Sequence, residues 1–310
     1  MDAVVRASGL AKRFGGVVAV DGIGFEVSHG EIFGLVGPDG AGKTTLLRML
    51  AGVMAPDAGA ASIDGIDVVA APERLRERIS YMPQRFGLYE DLTVDENIRF
   101  YAELFEVPPA QRRERAARLL AASAMEPFRR RLAGQLSGGM KQKLGLTCAL
   151  VHAPRVVLLD EPTTGVDPLS RREFWRILYA LRSEGVTLLI STAYLDEAER
   201  CDRLALLQDG HLRFCESPAE LRARMPGALV EVASTSPREV RAALAPLAGV
   251  RSVLLVGDGV HVHVDNAARV PQLEAALSER AIAFDAARVV MPTIEDLFVA
   301  LLGPGAQAAA

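Results

Sequence analysis

The stretch Ile32-Phe-Gly-Leu-Val36-Gly37-Pro-Asp-Gly40-Ala-Gly42-Lys43-Thr44-Thr45 decides how the chain is read. Ile32–Val36 reads as a strand buried on both faces. Residues Gly37 to Thr44 then match G-x-x-x-x-G-K-[ST], and helix-compatible sequence runs from Lys43 to Leu50. Glycines let a backbone curl until its N–H groups converge on phosphate oxygens, and a helix N-terminus adds partial positive charge there. Gly37, Gly40 and Gly42 are the candidate cradle, and Lys43 is placed to reach the β- and γ-phosphates of a nucleotide. Thr44 is the candidate Mg²⁺ ligand, and Thr45 is expected beside it in the nucleotide site.

A second stretch complements the first. Val156-Val157-Leu158-Leu159-Asp160-Glu161 is an apolar run ending in acid, the pattern of a buried parallel strand. Asp160, at the end of that strand, can reach a Mg²⁺ shell. Glu161, one residue on, is the candidate to polarise an attacking water. Alone, such a run is commonplace; paired with the phosphate loop it points to ATP or GTP.

Composition bounds the rest. The chain has 310 residues, with 35 Lys plus Arg against 39 Asp plus Glu and a net charge of −4. That length suggests two domains. The mild acidity argues against a nucleic-acid platform. Three cysteines form no disulfide framework and fit a reducing cytosol. The N-terminus lacks the apolar core of a signal peptide, and no uncharged run is long enough to span a bilayer.

Along the chain, short β-type runs fall at Val4–Val5, Val17–Val20 and Ile23–Val27, punctuated by Gly15–Gly16 and Gly22. Residues 93–133 read as mostly helical. Arg171–Ser183 reads as an amphipathic helix, and Thr187–Ile190 and Arg203–Gln208 as strands. From about residue 228 the order becomes β-α-β-β-α-β, that of a small ferredoxin-like unit. A terminal helix follows over Met291–Leu302, and GPGAQAAA, residues 303–310, is expected to be a disordered tail.

Leu136-Ser137-Gly138-Gly139-Met140-Lys141-Gln142 adds a second phosphate cradle at a helix start. With it, the chain resembles the nucleotide-binding subunits of ATP-binding-cassette (ABC) transporters over roughly residues 3–225. Gln84, in Tyr81-Met82-Pro83-Gln84, matches that family's glutamine loop, which senses Mg²⁺ and the attacking water. Asp167, in Gly165-Val166-Asp167-Pro168, matches the loop that crosses the dimer interface. Phe14 matches the aromatic that stacks on adenine.

The resemblance implies an α/β P-loop NTPase fold of the ABC ATPase type, with antiparallel β and helical subdomains. It places an ATP-binding domain over 1–225, its helical subdomain at about 85–150, and an accessory α+β domain over 226–302. It implies ATP and Mg²⁺ as cofactors, with Thr44, Gln84 and Asp160 around the metal. Each ATP would lie between one chain's phosphate loop and the Ser137 loop of a second ATP-binding domain, in a homodimer, heterodimer or tandem. A transmembrane permease is the other implied partner, which places the chain on the cytoplasmic face of the membrane, and no nucleic acid is expected. The C-terminal extension resembles the exporter-type class.

One motif departs from the pattern. The family places a γ-phosphate-contacting histidine after its last core strand; here Leu188-Leu189-Ile190-Ser191-Thr192 leads to Ala193. An alanine methyl makes no hydrogen bond. Three readings stay open: slow hydrolysis beside an intact second site, activity sustained by Glu161 and water, or one half of a tandem protein. Phe86, Leu88 and Tyr89 either receive the permease or pack the helical insert. In the C-terminal part, His261 and His263 are expected to face outward from an edge strand, able to hold a metal but lacking a third ligand.

Overall fold

A computed structural model describes residues 3–257 and 259–302. Asp258, which with Gly259 reads in the sequence as a tight turn, and the 303–310 tail lie outside them. The chain up to Glu197, with Cys201–Cys215, makes one compact unit; Ala198–Arg200 and the chain from Glu216 make another.

The first unit opens with two long antiparallel strands, β1 (Ala3–Phe14) and β2 (Val17–Ser28), turning at Gly15–Gly16. The sequence suggests a break at Gly22. Instead the strand continues through it: Gly9 and Gly22 take φ of 59° and 64°, and the pairing absorbs extra residues as bulges. Next come β3 (Ile32–Val36), α1 (Lys43–Leu50), β4 (Ala58–Ile63), β5 (Ile66–Asp67), α2 (Pro72–Arg76) and β6 (Ile79–Met82). The helical insert contributes α3 (Val94–Leu104), α4 (Pro109–Ala122) and α5 (Gly138–Leu150). The core closes with β7 (Val156–Asp160), α6 (Pro168–Ser183), β8 (Thr187–Thr192), α7 (Leu195–Ala198), β9 (Arg203–Gln208) and β10 (His211–Glu216).

These strands form two sheets. One runs β2-β1-β4-β5; the other runs β10-β9-β3-β8-β7-β6. In the second, β6, β7, β8, β3 and β9 are parallel neighbours. Strands β3, β7 and β8 are buried at every position, as a parallel sheet covered on both faces demands. Phe174, Trp175 and Leu178 of α6 cover one face, and Leu46, Leu47 and Leu50 of α1 join the cluster on the other. The candidate motifs therefore sit at the C-terminal ends of β3, β7 and β8, where open α/β sheets bind ligands.

The insert has its own core of Val94, Ile98, Leu120, Leu144 and Cys148. Its first helix starts at a reciprocal cap: Thr93 Oγ1 accepts from Glu96 N–H, and the Glu96 carboxylate accepts from Thr93 N–H. A short ladder ties its two edges: Val94 and Asp95 N–H donate to the Arg131 and Arg129 carbonyls, and Ala133 and Gly134 N–H donate to those of Leu92 and Glu90. Phe86 packs between this core and that under α6, Leu88 packs the insert, and Tyr89 is exposed against Phe100.

The second unit begins with α8 (Pro218–Ala223), for which no helix is expected from the sequence although Ser217 and Glu220 form a capping box. Then follow β11 (Ala228–Ala233), α9 (Pro237–Leu244), β12 (Val250–Val256), β13 (Gly259–Val264), α10 (Val270–Glu279), β14 (Ala287–Val290) and α11 (Ile294–Leu302). The antiparallel sheet order β12-β13-β11-β14 gives the ferredoxin-like topology. Its core is Val230, Val232, Val240, Leu244, Val260, Val262 and Leu273.

The two histidines are not where the sequence reading puts them. β13 lies between β12 and β11, so it is no edge strand, and His261 and His263 are 8% and 4% exposed. His261 Nδ1 lies 2.9 Å from Asp296 Oδ1, and His263 Nε2 lies 2.6 Å from the Pro226 carbonyl. Asp296 Oδ2 also accepts from Thr293 N–H and Oγ1 at the start of α11. His261 thus pins α11 to the sheet through Asp296, His263 is tied to the Pro226 carbonyl, and burial holds His263 below the usual imidazole range. Removing the acid strands a buried imidazole and a helix cap together. Asp296→Ala is expected to lower stability of this unit by about 3 kcal/mol, read by urea unfolding, whereas Met291→Ala, at a side chain 76% exposed, should change it by under about 0.5 kcal/mol.

Candidate nucleotide site

The loop between β3 and α1 is shaped by close backbone approaches. A Cβ on Gly37 would stand 2.3 Å from the Leu207 carbonyl oxygen, and one on Gly42 would stand 2.3 Å from that of Ala19. Gly42 has φ of 100° and Gly40 of 81°, both in the region that favours glycine. Gly42 caps α1 with no side-chain bond, so the first N–H groups of α1 remain to be met by an anion. Lys43, 4% exposed, donates to the carbonyls of Gly37 at 2.8 Å and Pro38 at 3.1 Å. Its ammonium also lies 3.2 Å from Glu161 Oε1. Thr45 is half-buried on the same helix.

Asp160, 1% exposed at the end of β7, gathers its neighbours. Oδ1 accepts from Thr44 Oγ1 at 2.9 Å and Ser191 Oγ at 2.7 Å; Oδ2 accepts from Tyr81 Oη at 3.2 Å. Burial, with Asp160 beside it, pushes the Tyr81 hydroxyl up to about 12, so it stays a neutral donor. Glu161 follows with φ of 47°, a left-handed conformation rare for a residue with a side chain and characteristic of strained functional positions. Its N–H donates to Ser191 Oγ, and its Oε2 accepts from Gln84 Nε2 at 3.2 Å and Thr164 Oγ1 at 3.3 Å. The structure therefore brings Lys43, Thr44, Gln84, Asp160 and Glu161 together.

The other candidates stand apart from this cluster. Ser137 caps α5 by accepting from Met140 N–H, and Gly139 abuts Ser170 and Val166. Asp167 caps α6, accepting from Leu169 and Ser170 N–H; those bonds hold its carboxyl below the usual range. The Ser137 loop and the Asp167 loop are thus neighbours. Phe14 ends β1 with its ring 48% exposed. Ala193 is exposed just past β8.

Ser191, Tyr81 and Thr164 are site neighbours that the sequence reading misses. Ser191 pairs with Asp160 through the parallel register of β7 and β8, which no local pattern encodes. The residues present fit the implied cofactors: a buried carboxylate and a hydroxyl converge, as Mg²⁺ requires, beside a glycine cradle at a helix N-terminus for phosphates.

Fold and site together define the P-loop NTPase class of fold. The family described as ABC transporter matches residues 20–164. The chain is 50% identical over 240 residues to the probable multidrug ABC transporter ATP-binding protein YbhF of Escherichia coli (strain K12), covering 77% of this chain and 41% of that protein. It thus spans about two fifths of that relative's length. It is 37% identical over 305 residues to the Nod factor export ATP-binding protein I of Paraburkholderia xenovorans (strain LB400), covering 97% of this chain and 98% of that one. A solved ATP-binding subunit of an ABC transporter superposes with a TM-score of 0.66 at 30% identity, over 71% of this chain and 92% of that one. The chain belongs to the ABC transporter family.

The two positive-φ glycines of the loop differ in consequence. Gly42→Ala meets the Ala19 carbonyl, whereas Gly40→Ala has nothing within 4 Å. Gly42→Ala is expected to weaken binding of a fluorescent ATP analogue by more than about tenfold, and Gly40→Ala by about fivefold, its strain being conformational alone.

Proposed function

We propose that this chain hydrolyses ATP to drive export through a separate transmembrane permease, on the cytoplasmic face of the membrane. What carries the reading is the set of contacts made by Glu161. It is held by Lys43 and Gln84, the two side chains that an entering nucleotide would recruit. The Lys43 ammonium moves from the Gly37 and Pro38 carbonyls to the β- and γ-phosphates, and Glu161 is released to orient and deprotonate a water. Thr44 and Asp160 would hold Mg²⁺, which supplies charge neutralisation across the phosphates. Gln84 reports the state of this centre to the insert that follows it. Phe14 stacks on the adenine.

Ser137, Gly138 and Gly139 neighbour the Asp167 loop and make none of the contacts of the Lys43 and Asp160 cluster, so they serve the nucleotide of a second cassette, and ATP closes two cassettes head to tail. A groove of about 810 Å³ between insert and core, lined by Phe86, Tyr101, Leu104, Phe105, Arg76 and Arg115, is the proposed seat of the permease. The relatives named for multidrug transport, Nod factor export and daunorubicin/doxorubicin resistance point to amphiphilic or hydrophobic cargo. A second reading, a weakened or regulatory half of an asymmetric pair, is favoured by Ala193 alone.

Glu161→Gln is expected to keep ATP binding, trap an ATP-dependent dimer on size exclusion, and cut steady-state phosphate release by about 10²–10⁴-fold. Turnover equal to the parent's would overturn the role given to Glu161. Purification of the chain from membranes with an integral-membrane partner checks the export reading, and recovery only as a soluble protein counts against it.

A further inference from the structure

Behind Ala193 lies a buried carboxylate to which the mechanism gives no task. Glu197 is 0% exposed in the first turn after β8. Its Oε1 accepts from Thr163 Oγ1 at 2.6 Å, and its Oε2 accepts from Thr192 Oγ1 at 2.9 Å. Thr163 belongs to the loop that carries Glu161, and Thr192 ends the strand that leads to Ala193. The Thr192 hydroxyl also accepts from Tyr194 N–H at 3.0 Å, closing a turn around Ala193 itself.

The cation for this carboxylate comes from the first turn of α6. Arg171, in the helix that Asp167 caps, places Nε 3.6 Å from Glu197 Oε1 and Nη1 3.5 Å from Asp196 Oδ2. Its guanidinium lies 4.2 Å from the centre of the Tyr194 ring. A buried carboxylate is tolerated only when its charge and lone pairs are met. Two hydroxyls donate to its oxygens and one guanidinium balances its charge, each from a different segment of the site. The Tyr194 ring is taken up by Arg171 and is not a stand-in for an imidazole on phosphate.

We propose that Arg171, Glu197 and Tyr194 form a positioning clamp that takes over the ordering role of the missing imidazole. The clamp touches neither phosphate nor water. It fixes the Thr192–Tyr194 turn against the Glu161 loop and the Asp167 loop, so that Glu161 faces the attacking water although residue 193 offers no hydrogen bond. An imidazole at 193, anchored on the γ-phosphate, would order the same turn from the nucleotide side. The two devices are therefore redundant.

The proposal rests on the reading of Glu161 and Ala193 given above, and a double-mutant cycle tests it separately from that reading. Arg171→Ala is expected to lower kcat for ATP about tenfold with KM within about twofold, and Arg171→Lys, which keeps a cation over the ring, to lose less. In an Ala193→His background the Arg171→Ala loss should shrink to about twofold, because coupled groups are non-additive. Tyr194→Leu, which removes the ring but leaves the Glu197 charge paired, should show the same background dependence and keeps the test open if Arg171→Ala does not fold. Equal fold losses in both backgrounds, as plain structural damage would give, overturn the clamp and leave the ATPase reading intact. A parent chain without turnover overturns that reading and the clamp with it.

Discussion

The Asp160 carboxylate is the interaction on which the rest depends. It sits almost fully buried at the end of β7 and takes donors from Thr44 on α1, Ser191 on β8 and Tyr81 on β6. A buried charge without partners would be intolerable, so these donors are obligatory, and meeting them draws four elements to one edge of the sheet. The placement of Glu161 follows directly, since its own N–H is fixed by the same Ser191 hydroxyl. Its left-handed φ is sustained because Lys43, Gln84 and Thr164 hold the side chain on the other side.

The parts of the site that could be read in the sequence are those whose chemistry is local. Gly37 to Thr44 specify a loop and a helix start in one contiguous run, and Val156–Asp160 specifies a buried strand ending in acid. Ser191, Tyr81 and Glu197 were not legible, because their roles come from parallel register and from packing between distant segments. The histidines show the same limit from the other direction. Alternation with valine says that His261 and His263 share a face, but only the strand order and the Asp296 cap say that the face is covered. The long hairpin was hidden by its own glycines, which read as breaks and serve as bulges. The helix after Ser217 was legible, since its capping box is a sequence pattern.

The second unit is a closed fold with its own core, and its polar residues serve that core. His261, Asp296 and Thr293 are spent on seating α11. The candidate nucleotide residues lie in the first unit, where Lys43, Asp160 and Glu161 are each held by residues of other segments.

The sheet order has a consequence for how the molecule is made. β8 lies between β3 and β7, and Ile32 pairs with Leu188. When the first three quarters of the first unit have left the ribosome, the phosphate loop and Asp160 both exist, yet the strand that joins their parent strands does not. β3 and β7 must wait apart, apolar on both faces, until Thr187–Thr192 emerges to be inserted between them. Such long-range parallel pairing is slow to form and leaves sticky surface exposed meanwhile. The same arrangement that makes the site a single cooperative cluster makes the nascent chain a client for whatever shields hydrophobic strands during synthesis.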